Sequence, residues 1–145
     1  MPTITLPTAD GGLAAYKTQQ PRDFPARASG PHNRIAFAAA HVVADPLADR
    51  DPWLEAAVDW DATLAYRRHL FALGLGVAEA MDTAQRGMGL AWPASLELIE
   101  RSVAAARDIP GALLYCGAGT DHLAPGAHAL DAVIGAYEEQ IAAVE

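Results

Sequence analysis

Cysteine occurs once in this chain of 145 residues, at Cys116, so no internal disulfide can form and a reducing, cytoplasmic setting is the expectation. Lysine is as scarce: nine of the ten basic residues are arginines and the exception is Lys17. Basic charge as a whole is short, ten Lys and Arg against eighteen Asp and Glu. The resulting formal charge of −8 argues against a binder of nucleic acid or of an anionic membrane surface. Long apolar runs are missing too. Stretches such as residues 35–40 and 112–116 fall far below the ~18 residues of a spanning helix. The opening MPTITLPTAD has neither the basic nor the apolar region of a signal peptide, so no leader and no membrane association are expected.

What is present fits a globular domain. Hydrophobic residues make up 52% and charged residues 19% of the chain, and a chain of this length can bury roughly two thirds of its unfolded surface. Three regions are expected. Residues 1–18 read as a small β-hairpin around an Asp10-Gly11-Gly12 turn. Residues 19–33, with Pro21, Pro25, Gly30 and Pro31 and no period, read as a linker, and residues 34–145 form the main body.

Within the body, residues 35–43 form an apolar run of strand length, predicted to be buried on both faces, with helix as the alternative. A loop with two Asp-Pro pairs follows. Asp59 or Asp61 then caps a helix whose core stripe is Tyr66, Leu70 and Leu73, with Arg67 and Arg68 beside it and Gly74 as its stop. A second strand spans residues 76–81. Pro93 opens a second helix with a stripe of Leu96, Ile99, Val103 and Ala106 and an outer Glu97–Arg101 pair. A third strand spans residues 112–116, and Leu130, Val133, Ile134, Tyr137 and Ile141 give a third amphipathic stripe. Strand starts near 35, 77 and 112 stand 42 and 35 residues apart, the spacing of repeated βα units in a parallel sheet. The expected fold is α/β: the first three βα units of a (β/α)8 TIM-barrel-like fold after a short N-terminal β-hairpin, an incomplete barrel. Eight such units would need about 280 residues, so a larger protein is expected.

In parallel α/β folds ligands lie at the carboxyl ends of strands. That rule selects His41 and Asp45 after the first body strand, Asp82, Thr83, Gln85 and Arg86 after the second, and Asp121 and His122 after the third. Glu79 falls inside the second strand. A charge there would be pressed under a helix at a cost of several kcal/mol, so it is expected to face the barrel interior, as a general base, a partner of a substrate cation or of Arg86, or one half of a structural ion pair. His41 is a proton carrier, a metal ligand or a core histidine. Asp121 and His122 follow Gly117 and Gly119, whose lack of side chains lets a ligand approach the backbone, or else they form a turn. Arg86 can clamp a carboxylate or phosphate through two N–H groups, or stand in solvent. His41, Glu79, Asp82, Asp121 and His122 have the ligand types of a divalent metal site, yet no HxH, HExxH or CxxC spacing backs one, and the expectation is no cofactor. The residues 117–122, GAGTDH, are not a dinucleotide fingerprint. Trp53, Trp60 and Trp92 read as packing anchors, and Cys116 as a small buried hydrophobe rather than a nucleophile.

Taken together, the runs IAFAAAHVVADPLADRDPWL, VDWDATLAYRRHLFALGLGVAEAMDTAQRGMGLAWPASLELI and GAGTDHL resemble the bacterial domain-of-unknown-function family 993, itself similar to dihydrodipicolinate synthase. The resemblance covers essentially the whole chain, and AMDTAQRGMGL is its most specific part. It implies an aldolase-type barrel of which this chain is the N-terminal portion. The wider superfamily uses a Schiff-base lysine on strand six, a tyrosine after strand five and a GTTGE-type loop after strand two. Here residues 81–86 take the place of that loop with a single threonine, Thr83, which implies a substrate other than pyruvate. Lys17, on the hairpin, is not placed for an imine, and neither Tyr115 nor Tyr137 suits the proton-relay role. The expected function is a lyase or aldolase acting on a small keto-acid or sugar-acid carbonyl compound. In that reading Glu79 and His41 handle protons, Asp82, Thr83, Gln85, Arg86, Asp121 and His122 bind substrate, and the isolated chain turns over little. The alternative is a self-contained α/β binding or assembly domain completed by homo-oligomerisation, and a metal-dependent hydrolase or aldolase using His41, Asp82 and His122 is a third reading.

Overall fold

A computed structural model of the protein describes residues 1–24, 30, 33–51 and 54–145. Part of the expected linker, and Trp53, lie outside the described residues. The hairpin forms as read: β1 (Thr3–Pro7) pairs antiparallel with β2 (Leu13–Lys17), Ile4 opposite Tyr16 and Leu6 opposite Ala14. Gly11, at φ 80°, supplies the left-handed residue of its turn.

The body alternates strand and helix in the expected order: β3 (Phe37–Ala39), α1 (Trp60–Ala72), β4 (Gly76–Glu79), α2 (Trp92–Ala106), β5 (Leu114–Cys116), α3 (Leu130–Val144). The strands form one parallel sheet in the order β3-β4-β5, with Ala38, Val77 and Leu114 in one row across it. The architecture is mixed α/β, with three helices and two small sheets and no closed barrel among the described residues. Local chemistry explains the boundaries. The Asp59 carboxylate accepts from the Ala62 amide at 2.9 Å and caps α1; Gly74, at φ 78°, ends it; Pro93 lies in the first turn of α2, where a missing N–H is harmless. On α2, Glu97 and Arg101 pair at 2.7 Å.

The core lies on one side of the sheet. Val77 and Ala40 pack against Leu70 and Phe71 of α1, and Ala80, Ala84 and Leu90 pack against Leu98 and Ile99 of α2. The opposite face of the sheet is bare among the described residues, with Ile35 and Tyr115 73% and 64% exposed. This corrects the expectation that the first body strand is buried on both faces over residues 35–43: helices cover one face, and only three residues pair as strand.

Two helix stripes also differ from expectation. On α2 the buried positions are Ser95, Leu98, Ile99 and Ser102, so the inward face is rotated from the expected one and Val103 is exposed. On α3 the residues that pack inward are Ala136 and Gln140, while Leu130, Ile134, Tyr137 and Ile141 face outward. The periodicity of α3 is that of an amphipathic helix, but its apolar stripe has no partner among the described residues.

Candidate functional site

Alternation along β4 puts Val77 and Glu79 on one face, and that face is the helical one. Glu79 therefore does not look into an interior opposite the helices. It meets Arg67 of α1 instead, with Nε donating to Oε2 at 2.9 Å and Nη2 to Oε1 at 2.7 Å, and both side chains are 0% exposed. The Ala80 amide adds a third bond to the carboxylate at 3.0 Å. The Arg67 Nη1 donates to the carbonyl oxygens of His41 and Thr63. This is the geometry that makes a buried pair tolerable, both charges neutralised and hydrogen-bonded. It ties α1 to the ends of β3 and β4.

The sheet's carboxyl edge gathers a second polar network. After Glu79 the chain makes a 3₁₀ turn, Asp82–Ala84, then a left-handed Gln85 at φ 64°, and this reversal turns Arg86 back toward β5. Arg86 holds Asp121 bidentately, Nε to Oδ2 at 3.1 Å and Nη2 to Oδ1 at 2.7 Å. Its Nη1 donates to the carbonyl oxygens of Gly117 at 2.6 Å and Ala80 at 3.3 Å, and its Nη2 also donates to Gln140 Oε1. The guanidinium lies over the Trp92 ring, 4.9 Å from its centre, a cation–π contact.

Gln140, from α3, is the second centre of the network. Its Oε1 accepts from Arg86 and from the Gly119 amide at 2.6 Å, and its Nε2 donates to Asp121 at 3.0 Å and to His122 Nδ1 at 2.8 Å. Every polar valence of the amide is used, which fixes its orientation and puts the His122 proton on Nε2, 3.3 Å from Glu139. The Arg86 hydrogen bonds hold the Asp121 carboxyl down, to a pKa of about 2. Beside this network, Met81, Asp82, Arg86 and residues 117–121 line a cleft of about 320 Å³.

The profile of a family described as "Protein of unknown function (DUF993)" matches residues 4–145. The chain belongs to the DUF993 family. Among curated proteins none matches it.

Of the residues singled out in this DUF993 chain, Arg86, Asp121 and His122 come together, and Asp82 lines the same cleft. Thr83 is half-buried in the 3₁₀ turn, and Gln85 lines a different groove, together with residues from 42–50, 55–58 and 88–90. Asp45 borders that groove as well. His41 is exposed at the end of β3, and Glu79 is sealed beneath α1. No three His, Cys, Asp or Glu side chains gather to hold a metal among the described residues, so the five potential ligands do not form one group. Trp60 and Trp92 pack against the core as anchors, and each also carries an arginine on its ring. Burial, and then the neighbouring Glu79 charge, push the half-buried Cys116 thiol up to about 11. No helix among the described residues is long and apolar enough to cross a membrane.

Three residues of these two networks are not among the candidates the sequence offers. Arg67 reads from the sequence only as a neighbour of the core stripe, yet its side chain fills the space between α1 and β4. Gln140 carried a readable signal, a lone amide among the apolar positions of the last helix. Trp92 was marked for packing but not for its place over Arg86.

Proposed function

We propose that the three βα units of this DUF993 chain work as part of an aldolase-type (β/α)8 barrel whose strand-end cleft binds a small carbonyl compound, a keto acid or a sugar-derived acid or aldehyde. The observation that carries the reading is the convergence of Asp82, Arg86, Asp121, His122 and Gln140 from separate loops and α3 at the carboxyl ends of β4 and β5. That is where parallel α/β folds bind ligands. The bare apolar face of the sheet supports it further, because Phe37 and Tyr115, edge to face at 4.9 Å, stand where further strands would enclose a barrel core.

The residues at hand can bind and orient, but covalent catalysis through an imine has no support from this chain. Lys17 is exposed on β2, on the hairpin. Glu79 is closed to any ligand, so proton handling passes to Asp82 at the cleft, to His122 in the network beside it, or to His41 if a ligand extends toward β3. Thermal unfolding in the presence of small carbonyl compounds tests the reading. A ligand at a hundred times its Kd adds about 2.7 kcal/mol, which in a domain of this size raises Tm by roughly 8 °C. No shift with any keto acid, sugar acid, ketose or aldose refutes it, and so does brisk aldol cleavage by the chain that is lost on Lys17→Ala.

The uncovered sheet face and the outward stripe of α3 favour a second reading, a binding or assembly domain completed by copies of itself. Light scattering separates the two: a stable symmetric oligomer that unfolds in one sharp, concentration-dependent transition supports self-assembly.

A further inference from the structure

Resting on the carbonyl-binding reading above, the geometry points to an uncharged, hydroxyl-bearing ligand of the ketose or aldose kind, with carboxylates excluded from Arg86. A guanidinium has five N–H groups, and here all five are taken by the chain: two by Asp121, one each by Gln140, Gly117 and Ala80. The Arg86 side chain is only 9% exposed, and Trp92 lies against its face. An incoming carboxylate finds no free donor on it.

Among the charged side chains of the cleft, the valences left open are acceptors. Asp82 is exposed and its carboxylate makes no hydrogen bond to any described residue, while Oδ2 of Asp121 accepts a single bond from Arg86. With Asp121 ionised across the neutral range, the two carboxylates outweigh the one guanidinium and leave a net negative wall. Anions are repelled by it, and hydroxyl groups make charge-assisted bonds to it. A cleft of about 320 Å³ suits a ligand of a few carbons.

Dihydroxyacetone and pyruvate are three-carbon ketones that differ in bearing hydroxyls or a carboxylate, and they make the test. Amide NMR of the whole 145-residue chain is followed while each is added at neutral pH. The expected result is saturable movement of the amides of Asp82 and residues 117–121 with dihydroxyacetone, and binding of pyruvate at least tenfold weaker. Asp82→Asn, at an exposed position, is expected to weaken dihydroxyacetone several-fold. Asp121→Asn loosens the grip on Arg86 and is expected to strengthen pyruvate about tenfold. Pyruvate binding as tightly as dihydroxyacetone to the unaltered chain overturns the inference and leaves the carbonyl-site reading standing. An equal response to a small amine such as ethanolamine also overturns it. If no carbonyl compound moves these amides, both fall together.

Discussion

Removing one partner of the Arg67–Glu79 pair is the most demanding test of the fold. Glu79→Leu leaves a guanidinium with 0% exposure and no counter-charge, its Nε and Nη2 having lost acceptors at 2.9 and 2.7 Å. Breaking a buried pair this way costs about 3–5 kcal/mol. For a domain of this size each kcal/mol moves Tm by roughly 3 °C, so the single variant is expected to melt about 10–15 °C lower. Arg67→Met strands the Glu79 carboxylate with only the Ala80 amide and takes a donor from the carbonyl oxygens of His41 and Thr63, so it should fall as far. The double variant Arg67→Met/Glu79→Leu removes both charges and fills the space with apolar atoms. It is expected to lie within about 2 kcal/mol of the original, the remaining loss being those two carbonyl oxygens and the Ala80 amide that Glu79 no longer accepts from. Thermal and urea unfolding followed by circular dichroism read all four corners of this cycle. Singles that lose less than about 1 kcal/mol, or losses that simply add in the double variant, refute the claim that the two charges depend on each other.

Further outcomes follow from the same geometry. Because the Asp121 pKa lies below its ordinary value, its ionised form stabilises the fold above about pH 4, and that contribution fades as pH falls toward about 2. After solvent screening it amounts to about 1 kcal/mol, and acid unfolding of Asp121→Asn against the unaltered chain should show the difference vanish at the acid end. Gln140→Leu leaves the Gly119 amide and two charged side chains short of partners, and a loss of about 1–3 kcal/mol is expected in urea unfolding. At Gly76 an added Cβ would stand 2.4 Å from Cε1 of the Phe37 ring. Gly76→Ala should therefore cost about 1–3 kcal/mol, and Phe37→Leu should recover most of it; equal losses in both backgrounds would place the strain elsewhere.

How much of this was legible beforehand depends on which interactions are local. Strand–helix alternation, an aspartate cap at Asp59 or Asp61, the Gly74 stop and the hairpin rest on signals within a few residues of one another, and the structure shows each, with Asp59 as the cap. Glu79 was misdirected because the reading treated a charge under a helix as untenable, and the charge that makes it tenable, Arg67, sits twelve residues earlier on that helix. Periodicity in α3 showed which residues are apolar but could not supply a surface to receive them, so Leu130, Ile134, Tyr137 and Ile141 end up outward. The carboxyl-end rule selects Arg86, Asp121 and His122 without any motif, and the three side chains share one network. It could not foresee Gln140, which reaches the strand ends from far along the last helix, nor that Asp121 would take the guanidinium for itself.

Cys116 turns the sheet into its own stopwatch. The chain has one thiol, on β5 opposite Glu79 in the register, and its pKa of about 11 leaves only about one thiolate in a thousand at pH 8. A disulfide reagent should therefore react with the native chain roughly tenfold slower than with the unfolded one, the scarcity of thiolate being partly offset by the greater nucleophilicity of a high-pKa thiolate. Any faster phase would time the moments when β5 parts from β4, an opening that could be watched without attaching a label or changing a residue.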